Sequence, residues 1–297
     1  MRSMSTVIRA EGLVKTFGRT RALDGLDLEV EAGEVRGFLG PNGAGKSTTI
    51  RVLLGMLRAQ GTATVLGMDA WRDAVAIHRR IASVPGDVVL WPGLTGGETI
   101  DLLTRLRGGA DPALRARLLD DLRLDPRVKA RAYSKGNRQK VALVAAFARR
   151  ADLYVLDEPT SGLDPVMEEV FRAEVRRVRD EGAAVLLSSH ILDEVEQLCD
   201  RVTIVRSGKV VETGTLADLR GLTNTRFRVT AALAPDRLER IDGVHGVVAD
   251  GEHLRFDVDA AAIPAVLAVL GGSGVTALSA EPPSLEELFL RQYGSVR

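Results

Sequence analysis

The stretch with the clearest chemistry is Gly40-Pro41-Asn42-Gly43-Ala44-Gly45-Lys46-Ser47-Thr48. Gly40 and Gly45 stand apart by a run of free positions, and Lys46 and Ser47 follow at once, which is the pattern of a phosphate-binding loop. The glycines let the backbone curl around phosphate oxygens without a Cβ in the way. The loop N–H groups then point inward and form a concave anion site. Lys46 adds positive charge toward the outer phosphates, and the Ser47 hydroxyl is placed to hold Mg²⁺.

A second group of reactive residues closes the apolar run Leu153-Tyr154-Val155-Leu156. Asp157 and Glu158 are two carboxylates at the end of a buried strand, a costly arrangement unless they are used or paired. In a phosphate-loop protein the first is expected to hold Mg²⁺. The second points the other way on a strand and can polarise a water for attack. His190 follows a further buried run, Ala183 to Leu187, and the serines Ser188 and Ser189. A lone histidine is usually a satisfied structural residue. This one runs in parallel with Asp157 and Glu158 at the edge where such sheets place ligands, which favours a functional role. Ser134-Lys135-Gly136-Asn137 brings another glycine-containing loop to a helix N-terminus, able to bind a second anionic group. By itself such a serine is more often simply an N-cap. Phe17 lies in a turn-rich stretch ahead of the phosphate loop. Its ring can stack on a nucleobase or cover a sheet edge, and position alone does not separate the two.

The elements that must position these residues alternate between strand and helix. Glu34 to Leu39 reads as a short buried strand, and Ser47 to Leu57 as a helix, so phosphates would sit at a helix N-terminus. Val7 to Leu13 and Leu26 to Val30 alternate apolar and polar residues, as strands of a half-exposed sheet do. Thr62 to Leu66 and Arg80 to Val84 are strand-like. Pro85-Gly86-Asp87, Trp91-Pro92-Gly93 and Gly96-Gly97 then break the pattern. From Thr99 to Leu124 the period is helical, with one stripe of Leu102, Leu103 and Leu106 and another of Leu114, Leu118, Leu119 and Leu122. Asp111-Pro112 supplies a cap and first turn between them. Helices follow from Ser134 through Phe147, from Val166 to Asp180 and from Ile191 to Cys199, the last with Leu192, Val195 and Leu198 inward. Val202 to Val205 and Lys209 to Glu212 form a hairpin around Ser207-Gly208.

Gly221-Leu222-Thr223-Asn224 reads as a boundary, after which the order is βαββαβ with a tail helix at Leu285 to Arg291. The fold class is therefore α/β. A P-loop NTPase nucleotide-binding domain spans residues 1–222, with a helical subdomain at about 87–150. A small α+β domain of split-βαβ type spans residues 223–297. That second domain carries no cluster of chemistry, and His245 and His253 lack metal-ligand partners nearby.

The 297 residues carry zero formal net charge and are 45% apolar, enough for a real core without a global field toward nucleic acid. Cys199 is the one cysteine, so no intrachain disulfide can form, which fits a reducing compartment. No signal-peptide pattern opens the chain, and no run of about 20 uncharged apolar residues is present. If the protein works at a membrane, another chain supplies the membrane part.

Over roughly residues 6–220 the order of these motifs resembles the ATP-binding subunits of ABC transporters. The phosphate loop matches in full. Asp157-Glu158 matches the second nucleotide element with its adjacent catalytic glutamate, Ser161-Gly162-Leu163-Asp164 the loop after it, and His190 the switch histidine. Phe17 stands where the family stacks an aromatic on adenine. Glu281 to Phe289 looks like the tail of the drug and antibiotic exporter branch.

Two positions depart from the family pattern. Tyr133-Ser134-Lys135-Gly136-Asn137 stands for Leu-Ser-Gly-Gly-Gln, placing the charge of Lys135 where a partner subunit's nucleotide would lie. Gly86 stands where the family has a glutamine near Mg²⁺, and Asp87 is expected to replace it through water. The resemblance implies an ATP sandwich between two such subunits, in a homodimer or heterodimer. Lys46 and Ser47 of one and Ser134, Gly136 and Asn137 of the other enclose one Mg·ATP. Glu158 orients the attacking water and His190 holds the γ-phosphate. Asp157, Ser47 and Asp87 serve the metal. The motion passes to a separate transmembrane permease through the surface around Pro85 to Gly97, on the cytoplasmic face of the membrane.

Rival readings are a soluble ABC ATPase acting on a macromolecule, a small-molecule kinase and a binding-only module. The single cassette, the absence of a long coiled coil and the neutral charge argue against a nucleic-acid partner. A kinase has no need of Ser134-Lys135-Gly136-Asn137.

Overall fold

The computed structural model describes residues 5–189, 191–221 and 224–281. The chain divides into two compact units, Met1–Thr213 and Gly214–Arg297. His190 and the tail beyond Glu281 lie outside the described residues.

Strands β1 (Thr6–Phe17) and β2 (Thr20–Glu31) form an antiparallel hairpin. Strand β3 (Val35–Leu39) leads through the glycine-rich loop into helix α1 (Lys46–Leu53). Strands β4 (Gln60–Val65) and β5 (Met68–Asp69) extend the hairpin into a four-stranded sheet ordered β2-β1-β4-β5. Helix α1 stops four residues short of the Leu57 expected from periodicity. Gly55 ends that stretch with φ +65°, and a Cβ there would lie 2.4 Å from the Ala70 carbonyl oxygen. Only glycine fits such a close backbone approach.

After helix α2 (Ala74–His78) and strand β6 (Ile81–Val84) comes the helical insertion. Helix α3 (Gly96–Arg105) starts with a capping box, Thr95 accepting from Glu98 N while the Glu98 carboxylate accepts from Thr95 N. Helix α4 (Pro112–Asp121) is capped by Asp111 with Pro112 in its first turn. The long helical period thus resolves into two helices. Of its leucines, Leu118 and Leu122 are buried, whereas Leu102 and Leu106 face outward, Leu106 with 69% of its surface exposed.

Helix α5 (Lys135–Phe147) begins at the N-cap Ser134, and everything from Val141 to Phe147 is buried. Phe147 stacks on Tyr154 with ring centroids 5.1 Å apart. Strand β7 (Leu153–Asp157) follows, then helix α6 (Pro165–Asp180), capped by Asp164. Strand β8 (Ala184–Ser189), helix α7 (Leu192–Leu198) and the hairpin of β9 (Arg201–Arg206) and β10 (Lys209–Thr215) complete the series.

The larger sheet has the order β10-β9-β3-β8-β7-β6, with β9, β3, β8, β7 and β6 parallel. Its central strands β3, β7 and β8 are buried throughout, as parallel strands covered on both faces must be. Ile8, Leu13, Leu26, Phe38, Ile50, Leu53, Val155 and Leu186 join the two sheets and α1 in one core. Each such side chain, fully buried, contributes about 1.5–3 kcal/mol. Because the strands are parallel, the C-terminal ends of β3, β6, β7 and β8 come out along one edge. That edge carries Gly40, Pro85-Gly86, Glu158 and Ser189.

The second unit contains α8 (Leu216–Gly221), β11 (Thr225–Thr230), α9 (Asp236–Glu239), β12 (Val244–Asp250), β13 (His253–Val258), α10 (Ile263–Gly271) and β14 (Ala277–Glu281). Its sheet runs β12-β13-β11-β14, with neighbours antiparallel. Phe227, Val229, Phe256 and Val258 face Leu238, Val266 and Leu270 in a core of its own. His245 pairs with Asp259 and His253 with the Thr230 hydroxyl, ordinary surface partners.

Candidate nucleotide site

The phosphate loop hangs between β3 and α1. Gly40 is pressed against its neighbours: a Cβ there would lie 2.5 Å from the Val205 carbonyl oxygen. Gly43 (φ +81°) and Gly45 (φ +111°) take the left-handed region, where a Cβ is strained. Gly45 is also the N-cap of α1 and no side chain caps that helix end. The first N–H groups of α1 are therefore left to an external anion, aided by the helix dipole. Around Gly43 nothing stands within 4 Å of a would-be Cβ, so this side of the cradle is open. These features fit a polyphosphate.

Lys46 is 5% exposed, and its ammonium donates to the carbonyls of Gly40 (2.6 Å) and Pro41 (3.3 Å). Burial pushes its pKa down, opposed by the negative charges of Glu158 and Asp157. Glu158 Oε1 lies 4.0 Å from Lys46 Nζ. The two carboxylates at the end of β7 thus converge on the loop lysine. Ser47 is exposed at the first turn of α1, and Thr48 beside it is half-buried.

Asp157 is buried and accepts a short hydrogen bond from the Ser188 hydroxyl. Glu158 differs from the simple alternation expected of a strand. The strand ends at Asp157, and Glu158 takes φ +46°. Its N–H donates to the Ser188 carbonyl (3.0 Å) and hydroxyl (3.2 Å). A turn of the backbone, not the alternation of a pleat, sends the Glu158 carboxylate toward Lys46. Ser188 therefore steadies both acids, a function sequence reading missed. Its only signal was a hydroxyl beside an acid pair on a neighbouring buried run.

Gly86 lies against Asp157: a Cβ at residue 86 would be 3.4 Å from Asp157 Cγ and Oδ2. Asp87 is exposed on the following bend. Among the described residues no three His, Cys, Asp or Glu side chains form a metal site. The Asp157 carboxylate and the Ser47 hydroxyl are oxygen donors of the kind Mg²⁺ takes, with phosphates and water as the remaining ligands.

Phe17 ends β1 with 48% of its surface exposed, and the Lys15 ammonium lies 5.4 Å from its ring centroid. Ser134 is exposed at the head of α5, its hydroxyl accepting from Asn137 N at 3.2 Å. Gly136 touches the loop after Glu158, where a Cβ would lie 2.4 Å from the Gly162 carbonyl oxygen. Lys135 does not project freely, since its ammonium donates to Ser161 Oγ at 2.7 Å. Gln139, fully buried, donates to the Pro159 carbonyl at 2.8 Å. The contacts of this segment thus run within α5 and to the loop after Glu158, not to Lys46.

Cradle, buried lysine and acid pair, on the C-terminal edge of a parallel sheet, define a phosphate-loop nucleotide hydrolase. The ABC transporter profile matches residues 23–161, and the profile of the DrrA1-3-like ATP-binding protein C-terminal domain matches residues 214–293. The daunorubicin/doxorubicin resistance ATP-binding protein DrrA of Streptomyces peucetius is 41% identical over 79% of this chain and 74% of its own. The daunorubicin resistance ATP-binding protein DrrA3 of Streptomyces coeruleorubidus is 34% identical over 98% of this chain and 97% of its own. A solved ATP-binding subunit of an ABC transporter superposes with TM-score 0.67 at 32% identity, covering 72% of this chain and 92% of that one. The chain belongs to the ABC transporter family as an ATP-binding subunit, and its activity is ATP hydrolysis.

Proposed function

We propose that this subunit energises the export of a drug, antibiotic or other hydrophobic compound through a separate membrane permease. The named resistance functions of its relatives support that substrate class. The observation that carries the catalytic reading is the convergence of Glu158 on the buried Lys46 beside the open cradle. Lys46 and the α1 N-terminus hold the outer phosphates, and the Phe17 ring stacks on the adenine. Ser47 and Asp157 hold Mg²⁺, with Asp87 acting through water. When bound, the metal neutralises charge that develops on the phosphoryl oxygens. Glu158 orients the water that attacks the γ-phosphorus, and His190 steadies the γ-phosphate. Positioning and electrostatics suffice, because phosphoryl transfer asks little covalent chemistry of a protein.

Ser134, Gly136 and Asn137 serve the nucleotide of a second ATP-binding subunit, identical or homologous. The exposure of Ser134 at the head of α5, with no contact to Lys46, supports that division of labour. The permease docks on the apolar groove beside the helical insertion. Val89, Trp91, Leu103, Leu106, Met56 and Val75 line this groove, and several expose more than half their surface. Among the described residues no helix is long and apolar enough to cross a membrane. Held by the permease, the subunit sits peripherally, on the cytoplasmic face of the membrane. Glu158→Gln is the decisive test. ATP binding to the purified protein persists while turnover falls about 10²- to 10⁴-fold, the contribution typical of a positioned base. Full steady-state hydrolysis by that variant overturns the assignment of Glu158.

A further inference from the structure

Lys135 carries its charge where a helix disfavours it. It is the first residue of α5, directly after the N-cap Ser134. A cation there works against the helix dipole, and no acidic residue in that first turn offsets it. The ammonium instead donates to Ser161 Oγ at 2.7 Å, in the loop after Glu158. The stem reaches that hydroxyl by crossing Gly162, where a Cβ would lie 3.5 Å from both Lys135 Cγ and Cδ. Only a long side chain with a terminal donor spans this distance from the head of α5.

From Ser161 a single further bond leads to the acid of the nucleotide site. Ser161 N donates to the Glu158 carbonyl at 3.1 Å and closes the turn in which Glu158 takes φ +46°. A residue with a side chain persists in that left-handed region only where its surroundings over-determine it. On the β7 side the hold is Ser188, which accepts the Glu158 N–H through its carbonyl and its hydroxyl. On the loop side Gln139 of α5 holds the Pro159 carbonyl at 2.8 Å, and Leu163 N donates to the Thr160 carbonyl at 2.9 Å. Ser161 lies between those two holds, and Lys135 anchors its side chain.

We propose that Lys135 is a positioning residue for ATP hydrolysis in its own chain: its bond to Ser161 ties the head of α5 to the turn that carries Glu158. The tie steadies the left-handed backbone of Glu158 and so fixes where its carboxylate stands relative to Lys46. The bond lies at the surface, so its loss loosens the turn without unfolding it. The inference rests on Glu158 as the group that orients the attacking water.

The test cuts the bond from each end. Lys135→Met keeps the stem over Gly162 and removes the donor; Ser161→Ala removes the acceptor. Each lowers kcat about 3- to 10-fold, less than the roughly 10²-fold of a full 1 Å misplacement. Tm and the Kd of a fluorescent non-hydrolysable ATP analogue stay at their wild-type values. The double variant Lys135→Met/Ser161→Ala loses no more than the weaker of the two single variants, because both changes cut one tie. Lys135→Arg keeps a donor of similar reach and restores most of the turnover. Added to Glu158→Gln, Lys135→Met slows single-turnover hydrolysis no further, since the tie acts through Glu158. Wild-type kcat in Lys135→Met overturns the proposal, as do losses that multiply in the double variant. A raised KM in Lys135→Met beside a silent Ser161→Ala also overturns it, because Lys135 then meets a phosphate directly. Full turnover in Glu158→Gln overturns the role of Glu158. An inactive Glu158→Gln beside fully active Lys135→Met and Ser161→Ala overturns the tie alone.

Discussion

Gly136→Ala sets a helix preference against a collision. Gly136 sits in the first turn of α5, where alanine is favoured over glycine by up to about 1 kcal/mol. Against that, the new Cβ would meet the Gly162 carbonyl oxygen at 2.4 Å. Ordinary contact requires the loop or the helix end to retreat by roughly 1 Å. Overpacking of this kind costs about 1–3 kcal/mol, so the net loss is about 0–2 kcal/mol. In a folding unit of this size each kcal/mol moves Tm by about 2–4 °C, so the fall reaches about 8 °C at most. The larger consequence is catalytic. Gly162 follows Glu158 in a loop whose own hydrogen bonds transmit displacement, and a shift near 1 Å at the reacting geometry costs about 10²-fold in rate. Calorimetry on the protein without nucleotide isolates the packing effect, since a phosphate contact plays no part there. Steady-state hydrolysis then reads the transmitted shift together with any loss at the partner subunit's nucleotide, which Gly136 also serves. A Tm at or above that of the wild type with unchanged turnover refutes the reasoning at its first step. A lowered Tm with normal turnover refutes the transmission from Gly162 to Glu158.

Other substitutions address the metal edge and a buried ion pair. Gly86→Gln has room beside Asp157, where a Cβ falls at an ordinary 3.4 Å, so the variant folds and reaches half-maximal hydrolysis at a lower Mg²⁺ concentration. An unchanged Mg²⁺ dependence shows that residue 86 does not limit the metal site. Arg36→Met takes from the buried Glu34 carboxylate its guanidinium partner at 2.6 Å, along with the bonds to Thr203 and Thr213, and leaves it the Glu31 N–H at 2.8 Å and Arg201 at 4.0 Å. The expected destabilisation falls below the ~3–5 kcal/mol of a fully unpaired buried charge, read as a lower urea midpoint at constant slope, and a wild-type midpoint excludes it.

The chemistry of the phosphate loop was legible because it is local. The glycine spacing, the lysine and the helix start lie within nine residues, and no tertiary contact is needed to read them. Asp157 was legible for a related reason, as an acid closing an apolar run. The backbone of Glu158 was not, since strand alternation predicts a flip and says nothing of a left-handed turn. Periodicity also marked Leu102 and Leu106 as one apolar stripe without distinguishing a core face from an uncovered one. Glu194 reads as a solvated acid on a short helix. Its burial shows only in the fold, where the helix packs down and the Ser189 hydroxyl at the end of β8 turns onto its carboxyl. Lys135 suggested a free charge, and only the fold turns it onto Ser161.

The uncovered groove beside the helical insertion has a bearing on how much of this protein a cell can make. Val89, Val75, Leu106, Met56 and Trp91 leave 81%, 74%, 69%, 62% and 51% of their surfaces in water. Contiguous apolar surface of that kind favours self-association at high concentration. If the permease covers the groove, as proposed, chains made in excess of it are the ones that precipitate. Balanced synthesis of the two is therefore a solubility requirement as well as a stoichiometric one. In a heterologous host, overproduction of this subunit alone yields aggregate, and polar replacement of Val89 and Leu106 raises the soluble yield.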